Sequence, residues 1–317
     1  MPSRRQILGL SGLAISRSLF VPQPAQSADL EFEHLDLWPG TPPGAPDQLP
    51  VQQVIDRTMA GGPSDRAITH VANPRLDIFR PKKPNGSALL ILPGGGYERV
   101  VMDKEGYETA QMAAAAGVTA FVLFYRLPGD GWANPLDVSL QDAQQAIRMI
   151  RFKAAEFGID PKRVCVMGFS AGGHVGAKLA HRFSFPVGRS GEISVRPDLV
   201  CLMYPVISMQ QPFAHIGSRQ ALMADRVDLT IEKSQSADKD VPADAPPTLI
   251  IHAGDDTSVP VENALLLYAA LRAAHVPAEM HLFEEGGHGF GLRSIAGKPI
   301  AAWPSIFLTW AKRHGWF

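Results

Sequence analysis

Gly168-Phe-Ser170-Ala-Gly172-Gly173 follows directly on the apolar run Arg163-Val-Cys-Val-Met167 and opens a helical stretch over 171–182. No other segment constrains the fold as tightly. Glycines two residues before and two after a serine let the chain bend sharply between a strand and a helix, where side chains would collide. The serine stands at the apex, in a strained conformation. The helix that starts there aims its first amides and its dipole at the same point, where they favour developing negative charge. A glycine-rich loop can contain the same string by chance; the strand before it and the helix after it give this one its weight.

The rest of the chain supplies a sheet for that turn to belong to. Leu76-Asp-Ile-Phe-Arg80 alternates like a half-buried strand, and Ser87-Ala-Leu-Leu-Ile-Leu92 is a continuous apolar run stopped by Pro93 and a glycine cluster. Continuous runs of this kind suit strands covered on both faces. Residues 104–116 read as helix and 119–125 as strand. Over 135–157, Leu140, Ala143, Ala146, Ile147, Ile150 and Ala154 recur at helical spacing, and Gly158 closes the segment. Strands follow at 163–167, 199–205, 248–252 and 278–283, with helices at 261–274 and 304–314. The expected class is α/β, a mostly parallel central sheet with helices on both faces.

Residues 29–75, with Trp38-Pro-Gly-Thr-Pro-Pro-Gly44, read as an irregular lead-in. The stretch 206–246 is polar, contains prolines and shows no strand; it reads as an insertion placed where a small lid would fit. A chain of 317 residues has room for two domains. No shift in composition divides it, so 76–317 is expected to form a single domain.

Thirty Lys and Arg against thirty-one Asp and Glu leave a net charge of −1, which gives nucleic acid no basic field to bind. A hydrophobic share of 45% supports a large core and excludes global disorder. The two cysteines, Cys165 and Cys201, each lie within a strand-like apolar run and read as buried hydrophobes. A bridge between them would require those strands to be neighbours.

Pro93-Gly-Gly-Gly-Tyr97 follows the buried run 87–92 and continues Tyr97-Glu98-Arg99. It therefore lacks the Gly-Lys-Ser/Thr of a phosphate loop and the G-x-G-x-x-G of a dinucleotide fold. In an acyl-transfer enzyme, amides of Gly95 and Gly96, with that of Ala171, would form an oxyanion hole. The acid and base partners of such a serine come later in the chain. The strand ending Ile251-His-Ala-Gly-Asp255-Asp256 offers two adjacent acids, and Glu284-Glu-Gly-Gly-His288-Gly-Phe-Gly291 places a histidine in a glycine-rich loop after the next strand. Of ten histidines, only His288 stands between glycines in such a loop. His174, His252 and His281 are better explained by packing or hydrogen bonding. No H-E-x-x-H and no Cys/His cluster suggests a metal, and no cofactor is implied. Arg126 and Asp142 could pair beneath the site in a structural role.

The first residues read as an address. Ser3-Arg-Arg-Gln-Ile-Leu8 opens an apolar stretch from Ile7 to Ile15, and Ala25-Gln-Ser-Ala28 supplies small residues for cleavage. Residues 1–28 are expected to be an export signal of the twin-arginine type, sending the protein to the periplasm or beyond. Arg17 interrupts the apolar stretch, and nothing approaches the ~20 apolar residues of a bilayer span.

These segments together resemble the α/β-hydrolase superfamily from about residue 76 to the C-terminus. They are closest in wording to a bacterial acetyl-xylan-esterase-like carboxylesterase group. The strings that carry this are Leu92-Pro-Gly-Gly-Gly-Tyr97, Glu105-Gly-Tyr107, Tyr125-Arg-Leu127, Gly168-Phe-Ser-Ala-Gly-Gly-His174, Tyr204-Pro-Val206, Asp256-x-x-Val-Pro260 and Gly286-Gly-His-Gly-Phe290. The resemblance implies an α/β-hydrolase fold with a small insertion after the sixth strand, and a catalytic triad of Ser170, Asp256 and His288. In such sequences the acid stands three residues before Val-Pro, which selects Asp256 over Asp255. Many relatives begin the oxyanion loop with His-Gly-Gly; here Pro93 takes the position of the His. The implied substrate is a small-molecule or oligosaccharide ester, most specifically an acetylated plant carbohydrate. A general short-chain carboxylesterase is the alternative, and a small prolyl-peptidase-like hydrolase would need a gating domain for which there is no room. Specificity is expected from 206–246 and the lead-in, with Trp132, Tyr97 and Phe213 as candidate pocket residues.

Overall fold

In the computed structural model, residues 33–184, 186–187, 192–224, 226 and 228–316 are described; the expected export signal lies outside them. Eleven strands are numbered in chain order. Eight form the central sheet: β1 (Glu33–Asp36), β4 (Arg75–Phe79), β5 (Ala88–Leu92), β7 (Thr119–Phe124), β8 (Val164–Phe169), β9 (Leu199–Met203), β10 (Thr248–Ala253) and β11 (Ala278–Phe283). The other three, β2 (Gln53–Asp56), β3 (Arg66–Thr69) and β6 (Val100–Val101), form a small antiparallel sheet. The central order is β1-β4-β7-β5-β8-β9-β10-β11. Strands β7 to β11 in that order are all parallel, while β4 runs antiparallel to both β1 and β7.

Eight helices follow the same convention: α1 (Glu108–Ala115), α2 (Val138–Phe152), α3 (Ala154–Phe157), α4 (Ser170–His181), α5 (Ile216–Met223), α6 (Leu229–Gln235), α7 (Glu262–Ala273) and α8 (Trp303–Arg313). Every residue of β5, β7, β8, β9 and β10 is buried, the reason those segments read as unbroken apolar runs. Strand β11, at the edge of the sheet, is only partly covered. The α/β class with a mostly parallel sheet is as expected.

Several segments differ from their sequence pattern. The lead-in is not irregular: it contains β1, β2 and β3, with β1 extending the central sheet. Four-residue strands punctuated by Pro and Gly are too short to leave a readable period. The helix expected over 104–116 begins as a π-helical turn, Met102–Tyr107, before α1. The long helix over 135–157 is broken at Lys153 into α2 and α3, and Gly158 closes it in the left-handed conformation at φ 64°. The insertion 206–246 follows β9, the sixth strand of the central sheet in chain order, and contributes α5 and α6.

Arg126 and Asp142 do pair, at 2.6 Å and without solvent exposure. Trp38 Nε1 donates to the same carboxylate at 2.8 Å, and Arg126 donates to the Pro43 carbonyl at 2.6 Å. The Arg126 guanidinium also lies over the rings of Trp38 and Trp132, 5.5 and 4.8 Å from their centroids. The pair thereby fastens the lead-in to α2. Strands β8 and β9 are neighbours, yet Cys165 and Cys201 are both free and buried.

The register brings the functional segments to one end of the sheet. Leu92, the last residue of β5, lies opposite Gly168, and Phe169 lies opposite Met203. The glycine loop, Ser170, the two acids and the His288 loop all leave from the carboxyl ends of parallel strands. Open α/β sheets place ligands there.

Candidate active site

Ser170 is the first residue of α4 and has φ 50°, a conformation that non-glycine residues rarely adopt. The turn is held by close contact rather than by hydrogen bonds alone. A Cβ at Gly172 would lie 2.1 Å from the Leu92 carbonyl oxygen and 2.4 Å from that of Pro93. Only glycine lets α4 seat directly against the end of β5, and that seating brings the serine next to the glycine loop.

The Ser170 hydroxyl oxygen is 2.9 Å from His288 Nε2, and His288 Nδ1 is 2.7 Å from Asp256 Oδ2. Because a carboxylate can only accept, Nδ1 carries the imidazole proton and Nε2 is left to accept from the serine. Asp256 Oδ1 accepts the amides of Ser258 and Val259, each at 2.9 Å. Its Oδ2 has a second donor, Nε2 of His252, at 3.1 Å, which also faces the Val259 carbonyl at 3.1 Å. Burial pushes the Asp256 carboxyl upward. Hydrogen bonds from His252, His288 and the Val259 amide outweigh it and hold the group well below the usual carboxylate range.

Asp255 is placed differently. Its Oδ1 accepts the amides of Gly286 at 2.9 Å and Gly287 at 2.7 Å. It braces the loop that carries His288 and has no contact with the imidazole itself.

Of the three loop glycines, Gly94 donates its amide to Glu105 Oε2 at 2.7 Å. The amides of Gly95 and Gly96 have no hydrogen-bond acceptor among the described residues, and both glycines line the pocket that holds Ser170 and His288. Gly95, at φ 133°, has no room for a side chain, because a Cβ would lie 2.2 Å from the Arg99 carbonyl oxygen. Ala171 lies in the first turn of α4, where amides lack helical partners. A hydroxyl with an acceptor for its proton, a carboxylate behind that acceptor, and unengaged glycine amides lining the same pocket can together support attack on a carbonyl.

Supporting residues surround this set, several of them given no role by the sequence. Buried Glu105 also accepts the Tyr204 hydroxyl, at 2.9 Å. The Tyr204 ring lies edge-on to His288, 5.0 Å between centroids, and to Phe290, 4.6 Å. Tyr125 donates to the Pro93 carbonyl at 2.6 Å. Tyr97 donates to His174 Nδ1 at 2.6 Å, and His174 Nε2 donates to the Gln235 carbonyl at 2.6 Å, joining the glycine loop to the insertion. Burial lowers the His174 pKa to about 3, which keeps it neutral. Glu105 and Tyr204 stand in family-like strings, but their contact spans ninety-nine residues and left no local signal.

The pocket has a volume of about 260 Å³ and takes walls from the lead-in (Arg57) and the insertion (His215, Gly217). None of the aromatic candidates lines it. Tyr97 is buried against His174, Trp132 is buried under Arg126, and Phe213 offers its carbonyl to Asn263. Among the described residues no three His, Cys, Asp or Glu side chains gather to hold a metal ion, and no helix is long and apolar enough to cross a membrane.

The sequence profile of the BD-FAE family matches residues 76–271, more than half of the chain. An acetylxylan esterase of Xylanibacter ruminicola is 32% identical over 76% of this chain and 45% of its own length. Endo-1,4-beta-xylanase B of Butyrivibrio fibrisolvens is 36% identical over 63% of this chain and 32% of its own length. The chain thus spans less than half the length of these two curated relatives. A crystal structure of an acetyl ester-xyloside bifunctional hydrolase from Caldicellulosiruptor lactoaceticus superposes with a TM-score of 0.73 at 31% identity, covering 90% of this chain and 97% of that one.

Proposed function

Because the chain belongs to the BD-FAE family and holds a serine, a histidine and an aspartate in hydrogen-bonded sequence at the carboxyl end of its sheet, we propose that it is a serine carboxylic ester hydrolase. Its substrates in this reading are acetyl or related acyl esters of plant-polysaccharide-derived carbohydrates. The observation that carries the chemistry is the chain of contacts from Ser170 through His288 to Asp256, opening on a pocket edged by unengaged amides. The names of the acetylxylan esterase and of the acetyl ester-xyloside hydrolase support the choice of substrate.

Ser170 Oγ attacks the ester carbonyl carbon while His288 Nε2 takes the hydroxyl proton. Asp256 orients the imidazole and stabilises its positive charge, and His252 donates to the same Asp256 oxygen. The carbonyl oxygen becomes an oxyanion held by the amides of Gly95, Gly96 and Ala171. Each such donor is worth about 10²–10³ in rate. As the tetrahedral adduct collapses, His288 returns the proton to the leaving alcohol oxygen. Water, deprotonated by the same imidazole, then cleaves the acyl-serine and releases the acid.

The reading includes export, supported by the arginine pair, apolar stretch and small-residue exit within residues 1–28. Acetate release from acetylated xylo-oligosaccharides, set against hydrolysis of para-nitrophenyl acetate, tests the function. Ser170→Ala is expected to abolish both. Full activity in that variant refutes the mechanism, and activity on the chromogenic ester alone leaves a general short-chain carboxylesterase.

A further inference from the structure

Three cations reach the pocket beside Ser170: Arg57, Arg99 and Lys104. The chain as a whole carries a net charge of −1, so this grouping is local and not part of a basic surface. Most of the charge around it is already matched. Arg57 pairs with Asp65 at 2.7 Å, and exposed Glu98 lies 3.4 Å from Arg99. Glu105 also lines the pocket, but its two oxygens are engaged by the Gly94 amide and the Tyr204 hydroxyl.

Lys104 is the exception. It is half-buried in the π-helical turn, and no carboxylate of the described residues lies within 4.0 Å of its ammonium. A Cβ at Gly289, the residue after His288, would lie 3.3 Å from Lys104 Nζ. The ammonium therefore stands next to the loop that carries the base. Partly desolvating a cation without a counter-charge is unfavourable, and an arriving anion would relieve it. Two further donors, Nε of Arg99 and Nε of Arg57, are buried and have no acceptor among the described residues. His215 adds a neutral one. Its Nδ1 accepts the Ser218 amide at 3.1 Å, so Nε2 carries the proton, and burial followed by the nearby His288 lowers its pKa.

Resting on the ester-hydrolase reading, we propose that Lys104, assisted by Arg99, forms an anion subsite beside the reacting carbonyl, and that the preferred esters carry a carboxylate. One unmatched positive charge fits one carboxylate. That group can sit on the alcohol part, as in a sugar acid next to the acylated hydroxyl, or on the acyl part, as in the half-ester of a dicarboxylic acid. In either position its attraction to Lys104 fixes the ester carbonyl over Ser170.

The test uses two matched pairs of esters on the full chain. For the alcohol side these are para-acetoxybenzoate and its methyl ester; for the acyl side, mono-para-nitrophenyl glutarate and para-nitrophenyl valerate. In the wild type, kcat/KM for one charged ester is expected to exceed that of its neutral match by about tenfold, equivalent to about 1.4 kcal/mol. The pair that shows the preference identifies the side. Lys104→Gln is expected to erase the ratio, Lys104→Glu to invert it, and Lys104→Arg to keep most of it. In the wild type the ratio should also shrink as salt rises from about 0.02 to about 0.5 M, a measurement that needs no variant. A wild-type ratio near one on both pairs, or a ratio that survives Lys104→Gln, overturns the subsite alone. No turnover of any of the four esters by the wild type overturns the ester-hydrolase reading instead.

Discussion

Glu105 is the most informative side chain to perturb, because its two hydrogen bonds go to the residue before the pocket-lining Gly95 and Gly96 and to the tyrosine packed on His288. Its carboxylate is buried and accepts two hydrogen bonds, from the Gly94 amide at 2.7 Å and the Tyr204 hydroxyl at 2.9 Å. Hydrogen bonds to a charged group contribute about 1.5–3 kcal/mol, and a buried donor left without an acceptor costs about 1–3 kcal/mol. Glu105→Ala strands both donors, a loss of about 2–6 kcal/mol. Glu105→Gln keeps the shape. Its carbonyl can serve Gly94, and the Tyr204 hydroxyl can turn to accept from the new amide. The Gly94 bond survives and loses only its charge assistance, about 1–2 kcal/mol, while the Tyr204 hydroxyl proton loses the acceptor it had in Glu105.

The next two amides along the loop are those proposed to hold the oxyanion, so the loss belongs in the transition state. On para-nitrophenyl acetate, kcat is expected to fall about 5- to 30-fold in Glu105→Gln and about 10²–10³-fold in Glu105→Ala, with KM within about threefold. Thermal unfolding of both variants, followed by circular dichroism, separates this from collapse of the fold; about 1 kcal/mol corresponds to a Tm shift of roughly 2 °C at this size. A folded Glu105→Ala protein with wild-type kcat, or a loss confined to KM, would refute the claim that Glu105 sets the oxyanion loop.

Asp256→Asn is expected to lower kcat by about 10⁴, because the amide can no longer favour the correct imidazole tautomer. Asp255→Asn, whose parent only braces the His288 loop, should lose far less, and the reverse ranking would reassign the acid. Gly172→Ala is expected to destabilise by about 3 kcal/mol or more, since its Cβ would fall 2.1 Å from a backbone oxygen that cannot move aside; an unchanged Tm would contradict the close seating of α4 on β5. The Asp256 carboxyl is held below its ordinary value, so the stability it confers is fully present well above pH ~4 and is lost as pH falls further. Wild-type Tm should therefore drop more steeply below about pH 4 than that of Asp256→Asn, and parallel curves would refute this.

Much of this protein was determined within single short segments. The strand-turn-helix around Ser170 is legible because glycine at 168 and 172 and the apolar run before them are local facts, and so is the α/β alternation, whose periods arise one element at a time. Asp256 and His288 could be named because each occupies a short loop with its own signature. Their joining was a matter of tertiary structure: strand register sets Leu92 opposite Gly168, and parallel strands deliver loops more than one hundred residues apart to one edge. The same holds for what surrounds them. Glu105 bridging Gly94 to Tyr204, His252 donating to Asp256, Arg126 pinning the lead-in, and Lys104 without a counter-charge among the described residues depend on distances between elements, which no window of sequence contains. The sequence by itself could name the candidate residues of the site and the class of sheet that holds them. Only the packed chain decided which amides are engaged, which acid faces the imidazole and which charge is left unmatched, because burial and hydrogen-bond partnership arise only when distant segments meet.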